Sequence, residues 1–236
     1  MATKLAANNR KGEAHYRREQ DFWDARGSED YESLSGFDQR RISEWIGWQG
    51  NGRVLDIGGG SGMVSRVLSA APGTECVCID ISRAMLKHSP VSAVQADALN
   101  LPFRDGAFDL VVAAAFFHHL PANAPRLLEE CRRVLKPGGR LVGYDPNGSC
   151  LQNRLFMGRN PMRLRVFSPD ELPIVPEHLG RQVFEASFGR FEHFVFSFRN
   201  RKLTPFEAVQ RYLLSPLAVG PLREWLERWF FWRAWK

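Results

Sequence analysis

Residues 54–62, Val-Leu-Asp-Ile-Gly-Gly-Gly-Ser-Gly, join a short apolar run to a glycine-rich turn. An acid, Asp56, precedes the turn, and glycine at 58, 60 and 62 allows positive φ angles and close approach of a ligand to the main chain. A helical pattern begins at Met63, so the turn joins a strand to a helix N-terminus. Unpaired N–H groups and the helix dipole gather there. The stretch therefore predicts a binding site for a polar or anionic ligand group.

The glycine spacing argues against a dinucleotide site. That fingerprint is Gly-x-Gly-x-x-Gly, which from Gly58 would require glycine where the chain has Met63. The observed pattern is Asp-x-Gly-x-Gly-x-Gly. A second acid, Asp80, ends the apolar run 76–79, and a third, Asp97, follows the short run 91–96. An NAD-dependent enzyme is accordingly disfavoured.

The order of these segments resembles the class I S-adenosylmethionine (SAM) methyltransferases, in particular their small-molecule and quinone-type branch. Five landmarks carry the resemblance, which is strong over residues 45–145: the stretches 54–62, 76–80, 96–98, 108–114 and 133–142. It implies SAM as cofactor, S-adenosylhomocysteine (SAH) as product, and transfer of a methyl group to an acceptor. A co-purified nucleoside would be an inexpensive sign of such a site.

The resemblance also implies a cofactor-binding set: Asp56, Gly58, Gly60, Gly62, Asp80, Ile81, Asp97, Ala98 and Ala114. In that set the glycines approach the amino-acid tail of SAM above Asp56, with Gly62 acting mainly in helix packing. Asp80 accepts hydrogen bonds from the ribose hydroxyls, and Ile81 covers the adenine. Asp97 accepts from the adenine amino group beside the Ala98 N–H. Helix caps and loop solvation are the alternative roles for Asp80 and Asp97.

Candidate acceptor and catalytic residues follow the fourth predicted strand. One imidazole of His118 and His119, with His119 preferred, is a candidate general base, needed only if the acceptor loses a proton. Ordering of the loop is the alternative role of both. Tyr16, Asn147 and Arg154 are candidate acceptor-binding residues, although a packing tyrosine, an Asx turn and a solvated basic face explain them equally. No clustered acids predict a metal site.

Composition indicates a globular protein of the cytoplasm. The chain has 236 residues, 44% of them hydrophobic, and no apolar run approaches the about 18 residues of a membrane-spanning helix. Residues 8–11 are polar, which argues against a signal peptide. Four cysteines lie mainly in core patterns without a zinc-type partner set, which predicts buried free thiols.

The apolar periodicity predicts an α/β fold: a Rossmann-like, seven-stranded, mostly parallel sheet with helices on both faces, N-terminal helices and an α-rich cap insertion. The predicted strands cover residues 53–57, 75–79, 91–95, 108–114, 139–145 and 191–198. A seventh, antiparallel strand over 230–236 is implied by the family, with extension of the last helix as the alternative. Predicted helices cover 37–48, 62–70, 83–88, 123–135, 149–157, 177–187, 205–214 and 219–229, and about twelve N-terminal residues are expected to be disordered. We expect a single domain, 1–236, divided into a lid (1–48), a SAM-binding core (49–145), a cap (146–190) and a sheet-completing part (191–236).

The charge distribution leaves the acceptor open. Residues 1–145 carry 18 basic and 18 acidic side chains, so the net charge of +6 lies wholly in residues 146–236, with 14 basic and 8 acidic. A small-molecule acceptor methylated at oxygen, anionic or lipid-like, is the leading hypothesis. Peripheral membrane contact through the aromatic C-terminal segment is an open alternative. A tRNA or other nucleic-acid methyltransferase ranks second. The sequence argues against it, because Phe-Phe-His-His stands where those enzymes carry Asn/Asp-Pro-Pro-aromatic. A non-catalytic SAM-binding protein ranks third, and nothing indicates an oligomeric state.

Overall fold

A computed structural model describes residues 16–25, 36–150, 174–196 and 229–236. Its centre is one seven-stranded sheet. The strands are β1 (Gly52–Ile57), β2 (Thr74–Asp80), β3 (Ser92–Gln95), β4 (Phe108–Ala114), β5 (Leu135–Pro146), β6 (Arg190–Phe196) and β7 (Trp229–Trp235). All seven lie where the sequence predicts strands.

The sheet order is β3-β2-β1-β4-β5-β7-β6. Strands β1 to β5 pair in parallel, whereas β7 runs antiparallel to both of its neighbours, β5 and β6. The predicted Rossmann-like topology and the antiparallel last strand are therefore confirmed. Because parallel strands end at one edge, the carboxyl ends of β1, β2, β4 and β5 bring Asp56, Asp80, Ala114 and Tyr144 to the same side of the sheet.

Helices cover both faces of the sheet. They are α1 (residues 16–25), α2 (Gly36–Ile46), α3 (Met63–Ser69), α4 (Arg83–Leu86), α5 (Ala124–Val134) and α6 (Pro176–Glu185). On one face α2 and α3 bury Ile46 and Leu68 against Leu110 and other strand residues. On the opposite face α5 and α6 bury Leu127 and Leu179 against Val111 and its neighbours. Alternate residues of β4 thus enter two separate cores, as the period of a strand requires.

Two boundaries differ from the prediction. The backbone is extended from Leu135 onward, although 135–138 reads as a turn, because Leu135 pairs with Phe108 and a register shift before Leu110 absorbs the extra residues. Trp229, expected at a helix end, is the first residue of β7 and pairs with Pro146. The predicted helix over 205–214 and the rest of that over 219–229 lie outside the described residues. So do the N-terminal twelve residues and the helix over 149–157 beyond Cys150.

All four cysteines are free and buried, as the sequence predicts. Burial raises the pKa of the Cys76 thiol to about 12, which keeps it protonated and unreactive at neutral pH. Among the described residues, no helix combines the length and apolar character needed to span a membrane.

Candidate functional site

A cavity of about 700 Å³ lies at the carboxyl edge of the parallel strands. Its floor comes from the glycine turn after β1, its walls from the segments after β2, β3 and β4, and its roof from α1. Ten of the residues predicted for a site line it: Tyr16, Asp56, Gly58, Gly60, Asp80, Ile81, Asp97, Ala98, Ala114 and His119. The topology has therefore brought together segments that are far apart in the chain.

The backbone conformation of the glycine turn favours glycine over residues that carry a side chain. Gly58 and Gly60 have φ angles of 63° and 54°, and a Cβ atom at Gly58 would overlap the ring of Phe116. Gly62, at φ 78°, does not line the cavity, and a Cβ there would overlap Pro90. Gly62 therefore packs at the start of α3, the main role that the sequence analysis gives it.

Asp56 is a fully buried carboxylate on the cavity floor. Its Oδ2 accepts hydrogen bonds from the Ser65 hydroxyl at 2.6 Å and the Ser65 N–H at 3.1 Å. Its Oδ1 has no hydrogen-bond partner among the described residues. Burial raises the pKa of Asp56 to about 6. A buried carboxylate oxygen left without a donor is costly, so this atom is suited to receive a cationic ligand group.

Asp80 and Asp97 form a second acidic wall. Asp80 accepts hydrogen bonds from the Gly60 N–H at 3.0 Å and the Ser82 N–H at 2.8 Å, so it ties the glycine turn to the end of β2. Burial raises its pKa despite these donors. Asp97 accepts from the Leu99 N–H at 2.8 Å. Both carboxylates, with Ile81 and Ala98, face one part of the cavity.

The roof helix α1 places Tyr16, Glu19 and Trp23 in the cavity lining, at spacings that share one helical face. Tyr16 lines the cavity with Asp97 and Asp80, and burial together with the charges of these two acids raises the pKa of its phenol. Outside the cavity, Asp24 accepts hydrogen bonds from the Ser82 hydroxyl at 2.6 Å and the Ala84 N–H at 3.2 Å. Asp24 thus fastens α1 to the N-terminus of α4.

Replacing Asp24 with alanine is expected to loosen the roof. Loss of these hydrogen bonds should cost about 1 kcal/mol locally and speed amide exchange in residues 16–25 roughly fivefold. Asp21→Ala, which removes an exposed acid of the same helix, is the matched control. Hydrogen-exchange mass spectrometry measures both, and equal exchange in the two variants would show that Asp24 does not hold the helix.

The two adjacent histidines have different surroundings. Both lie on a short 3₁₀ turn, Phe117–His119. His118 is buried outside the cavity lining, and its Nδ1 lies 3.0 Å from Asp145 Oδ1. The Trp232 indole N–H donates to Asp145 Oδ2 at 3.0 Å. Burial lowers the pKa of His118 and raises that of Asp145 to about 7. His118 therefore ties the turn to β5 and β7 through Asp145, which fits the loop-ordering role, and a role as base stays a prediction for this residue.

His119 is the histidine that lines the cavity. Its Nδ1 lies 3.3 Å from Glu19 Oε2 of the roof helix. The rings of Trp23 and His118 pack against it with centroid distances of 5.5 and 4.2 Å. The preferred histidine of the sequence prediction is thus in a position to meet a ligand.

Of the other two candidate acceptor residues, only Asn147 belongs to the described part of the chain. Asn147 is fully buried, does not line the cavity, and accepts the Ser149 N–H at 2.9 Å in an Asx turn. Asn147 thus forms the Asx turn that was the alternative, and its binding of an acceptor stays a prediction. Arg154 lies outside the described residues.

Comparison with known proteins identifies the central segment. Residues 55–143 match the family model described as "Methyltransferase domain". The ubiquinone/menaquinone biosynthesis C-methyltransferase UbiE of Pseudomonas paraeruginosa is 39% identical over 117 residues, which are 44% of this chain and 45% of that protein. The chloroplastic tocopherol O-methyltransferase of Arabidopsis thaliana is 38% identical over 101 residues, 38% of this chain and 29% of that protein. The chain carries a class I SAM-dependent methyltransferase domain.

The fold of this methyltransferase domain recurs in solved structures. A SAM-dependent methyltransferase from Archaeoglobus fulgidus superposes with a TM-score of 0.62 at 22% identity, covering 85% of this chain and 93% of that one. The chain spans less than half the length of the curated relatives named above. The segment matched by the family model, residues 55–143, holds the glycine turn and the acidic walls.

The cavity residues that the sequence reasoning did not name as site residues include Glu19, Trp23, Phe116 and Tyr144. Glu19 and Trp23 share a helical face with Tyr16, which was a usable signal once α1 was assigned. Phe116 begins the Phe-Phe-His-His run, in which only the two histidines were predicted as site residues. Tyr144 is a strand residue whose direction depends on the register of β5, which the misread turn at 135–138 obscured.

Proposed function

We propose that this protein transfers a methyl group from SAM to a small-molecule acceptor, at oxygen. The observation that carries the proposal is the buried Asp56 carboxylate beside the glycine turn, because its Oδ1 atom has no donor among the described residues and Gly58 leaves no room for a Cβ atom. SAM supplies an electrophilic methyl group on a sulfonium, together with an ammonium-bearing tail. An uncompensated carboxylate beside a bare main chain suits such a tail.

The remaining walls divide into a nucleoside part and an acceptor part. In the proposed assignment Asp80 accepts from the ribose hydroxyls, Asp97 from the adenine amino group, and Ile81 and Ala98 flank the base. Gly58 and Gly60 approach the tail, and Ala114 borders its methionine portion. Phe116, Tyr144 and Trp23 leave the acceptor part predominantly apolar, which favours an aromatic or lipid-like acceptor over a nucleic-acid strand.

The test begins with calorimetric binding of SAM and SAH, followed by a screen of small acceptors with labelled SAM. Absence of heat with both compounds on folded protein would overturn the proposal. The screen must span oxygen, nitrogen and carbon acceptors, because one relative is named a C-methyltransferase of quinone biosynthesis and another a tocopherol O-methyltransferase.

Asp80→Asn is expected to weaken SAH binding about 10-fold, because a charged acceptor of ribose hydroxyls becomes a neutral one. Glu185→Gln, at an exposed acid in the last turn of α6, is the matched control and should bind SAH as the wild type does. Calorimetry on both variants measures the difference. Unchanged affinity in Asp80→Asn would remove Asp80 from the nucleoside site.

A further inference from the structure

A chain of hydrogen bonds connects the second acidic wall of the cavity with the roof helix. Asp80 Oδ1 accepts the Ser82 N–H at 2.8 Å, and the Ser82 hydroxyl donates to Asp24 of α1 at 2.6 Å. Ser82 is fully buried and Asp24 is exposed, and neither of these two lines the cavity. One serine therefore joins a cavity carboxylate to a carboxylate of the roof. We call this Asp80–Ser82–Asp24 chain the roof latch.

The hydroxyl of Ser82 takes part in hydrogen bonds both as acceptor and as donor. Its oxygen accepts the Met85 N–H at 3.2 Å, because Ser82 is the N-cap of α4. Its hydrogen is then left for the Asp24 carboxylate, which also accepts the Ala84 N–H at 3.2 Å. The docking of Asp24 therefore depends on the position in which Asp80 holds the Ser82 backbone.

The other end of α1 also faces the second acidic wall. Tyr16 lines the cavity together with Asp80 and Asp97. The charges of these two acids add to the effect of burial in raising the pKa of the Tyr16 phenol. Tyr16 and Asp24 lie near the two ends of the described part of α1. The roof helix thus interacts at both of its ends with the wall that holds Asp80.

The two carboxylates of the roof latch repel each other. Burial raises the pKa of Asp80, and the charge of the nearby Asp24 raises it further. In the proposed assignment Asp80 accepts hydrogen bonds from ribose hydroxyls, which disperse the charge of its carboxylate and reduce this repulsion. The same bonds hold the Asp80 carboxylate in place, and with it the Ser82 N–H. Both effects favour the docked position of α1.

We propose that Asp24 and Ser82 are positioning residues, which couple the docking of the roof helix to occupation of the nucleoside part of the cavity. This inference rests on the proposed methyl-transfer function and adds an order of binding to it. The roof supplies Glu19 and Trp23 to the cavity lining. The acceptor part is therefore complete only once the nucleoside part is filled, so the cofactor binds before the acceptor.

Coupling between the roof and the nucleoside part acts in both directions. A ligand that favours the docked roof must bind more tightly to protein whose roof is docked, because the two equilibria share one coupling free energy. Such couplings typically change an equilibrium about 5–150-fold, and we expect about 10-fold here. A variant that breaks the roof latch should therefore lose both the response of α1 to the ligand and part of the ligand affinity.

Hydrogen-exchange mass spectrometry with and without SAH tests the coupling. Saturating SAH should slow amide exchange in residues 16–25 of the wild type about 10-fold. In Ser82→Ala, which keeps the backbone N–H that Asp80 accepts, this slowing should fall to about twofold, because the roof latch is broken. Asp24→Ala should show the same loss. Because Asp24 is exposed, the second variant keeps the test decisive if Ser82→Ala does not fold.

Two matched controls distinguish the roof latch from a general loosening of the protein. Asp21→Ala removes another exposed acid of α1, and Ser69→Ala removes a serine hydroxyl that donates within α3. Both should keep the wild-type response to SAH. Direct contact between the ligand and Tyr16 is the competing explanation of a response. It would leave the full response in Asp24→Ala, and that result would overturn the coupling.

Calorimetry with SAH on the same samples separates this inference from the proposed function. SAH affinity should fall about fivefold in Ser82→Ala and in Asp24→Ala, although neither side chain lines the cavity. Thermal melting checks that each variant is folded. If SAH does not bind folded wild-type protein, the proposed function fails and the coupling fails with it. If SAH binds but exchange in residues 16–25 is not slowed, or if both variants keep wild-type affinity, only the coupling fails.

Discussion

Deletion of residues 230–236 is expected to abolish the folded, soluble protein. These residues form nearly all of β7, which lies between β5 and β6 and is hydrogen-bonded to both. The deletion would remove three large side chains that are at most 1% exposed, Phe230, Phe231 and Trp232. Loss of each buried aromatic side chain costs about 3–5 kcal/mol, so the sum approaches or exceeds the about 5–15 kcal/mol stability of an ordinary domain.

Soluble yield, size-exclusion behaviour and thermal melting of the truncated chain test this expectation. Trp232→Phe is the matched control, because it keeps a buried aromatic ring while it removes the hydrogen bond to Asp145 and part of the side-chain volume. That variant should remain folded and lose about 1–3 kcal/mol of unfolding free energy. A truncated chain that stays monodisperse and melts cooperatively would show that β7 is dispensable.

SAM affinity is expected to fall about 10-fold for each pH unit below pH 6. In the unbound protein burial raises the pKa of Asp56 to about 6, so the carboxyl group is protonated below that value. In the proposed complex the cofactor tail favours the ionised form, and binding must therefore release a proton at low pH. One proton per binding event corresponds to a factor of ten per unit. Above pH 6 the Asp56 contribution should level off.

Calorimetry between pH 5 and pH 7 measures this dependence, and buffers of different ionisation heat count the released proton. Asp56→Asn is the matched control: its amide oxygen still accepts from Ser65, but the group does not titrate. We expect weaker binding in that variant at neutral pH and a flatter pH profile. The same steep profile in Asp56→Asn would assign the proton to another group.

The stability of the unbound protein has the opposite pH dependence. Because the folded-state pKa of Asp56 lies above the ordinary 3.8, its contribution is fully present below pH 3.8 and is lost as pH rises through about 6. This amounts to about 3 kcal/mol. The His118–Asp145 pair changes the pH dependence of stability little between pH 4 and 6.5. In the folded protein the raised Asp145 pKa keeps a proton on Asp145 and the lowered His118 pKa leaves His118 neutral, whereas in the unfolded chain the proton is on His118. Both states therefore hold one proton in this range.

The parallel core was predictable because its signals are local. Each of β1, β2 and β4 is a short apolar run that ends at an acid, a glycine turn or an alanine pair, and the short length with these flanking residues favours a strand over a helix. The antiparallel β7 was inferred from the family and not from periodicity, since an aromatic run such as 230–235 suits a helix or a strand. The β5 boundary failed because Pro137 and Gly138 indicate a turn, while pairing of Leu135 with Phe108 extends the strand.

The glycine turn and its acids were predictable for the same reason, but the acceptor side was not. His118 and His119 are neighbours with identical side chains, and only the 3₁₀ turn and the position of Asp145 decide which of them reaches the cavity. Glu19 enters the site because Asp24 fastens α1 over the sheet edge, a contact that joins residues 58 positions apart. Tertiary contacts of this kind leave no mark in a single sequence.

The placement of β7 also constrains the order of events during synthesis. Strands β1 to β5 emerge from the ribosome long before β7, so one side of β5 stays without its hydrogen-bonding neighbour while the intervening chain is made. An unpaired apolar strand edge recruits other chains. Nascent copies of this protein should therefore depend on a chaperone that shields that edge until translation reaches the last strand.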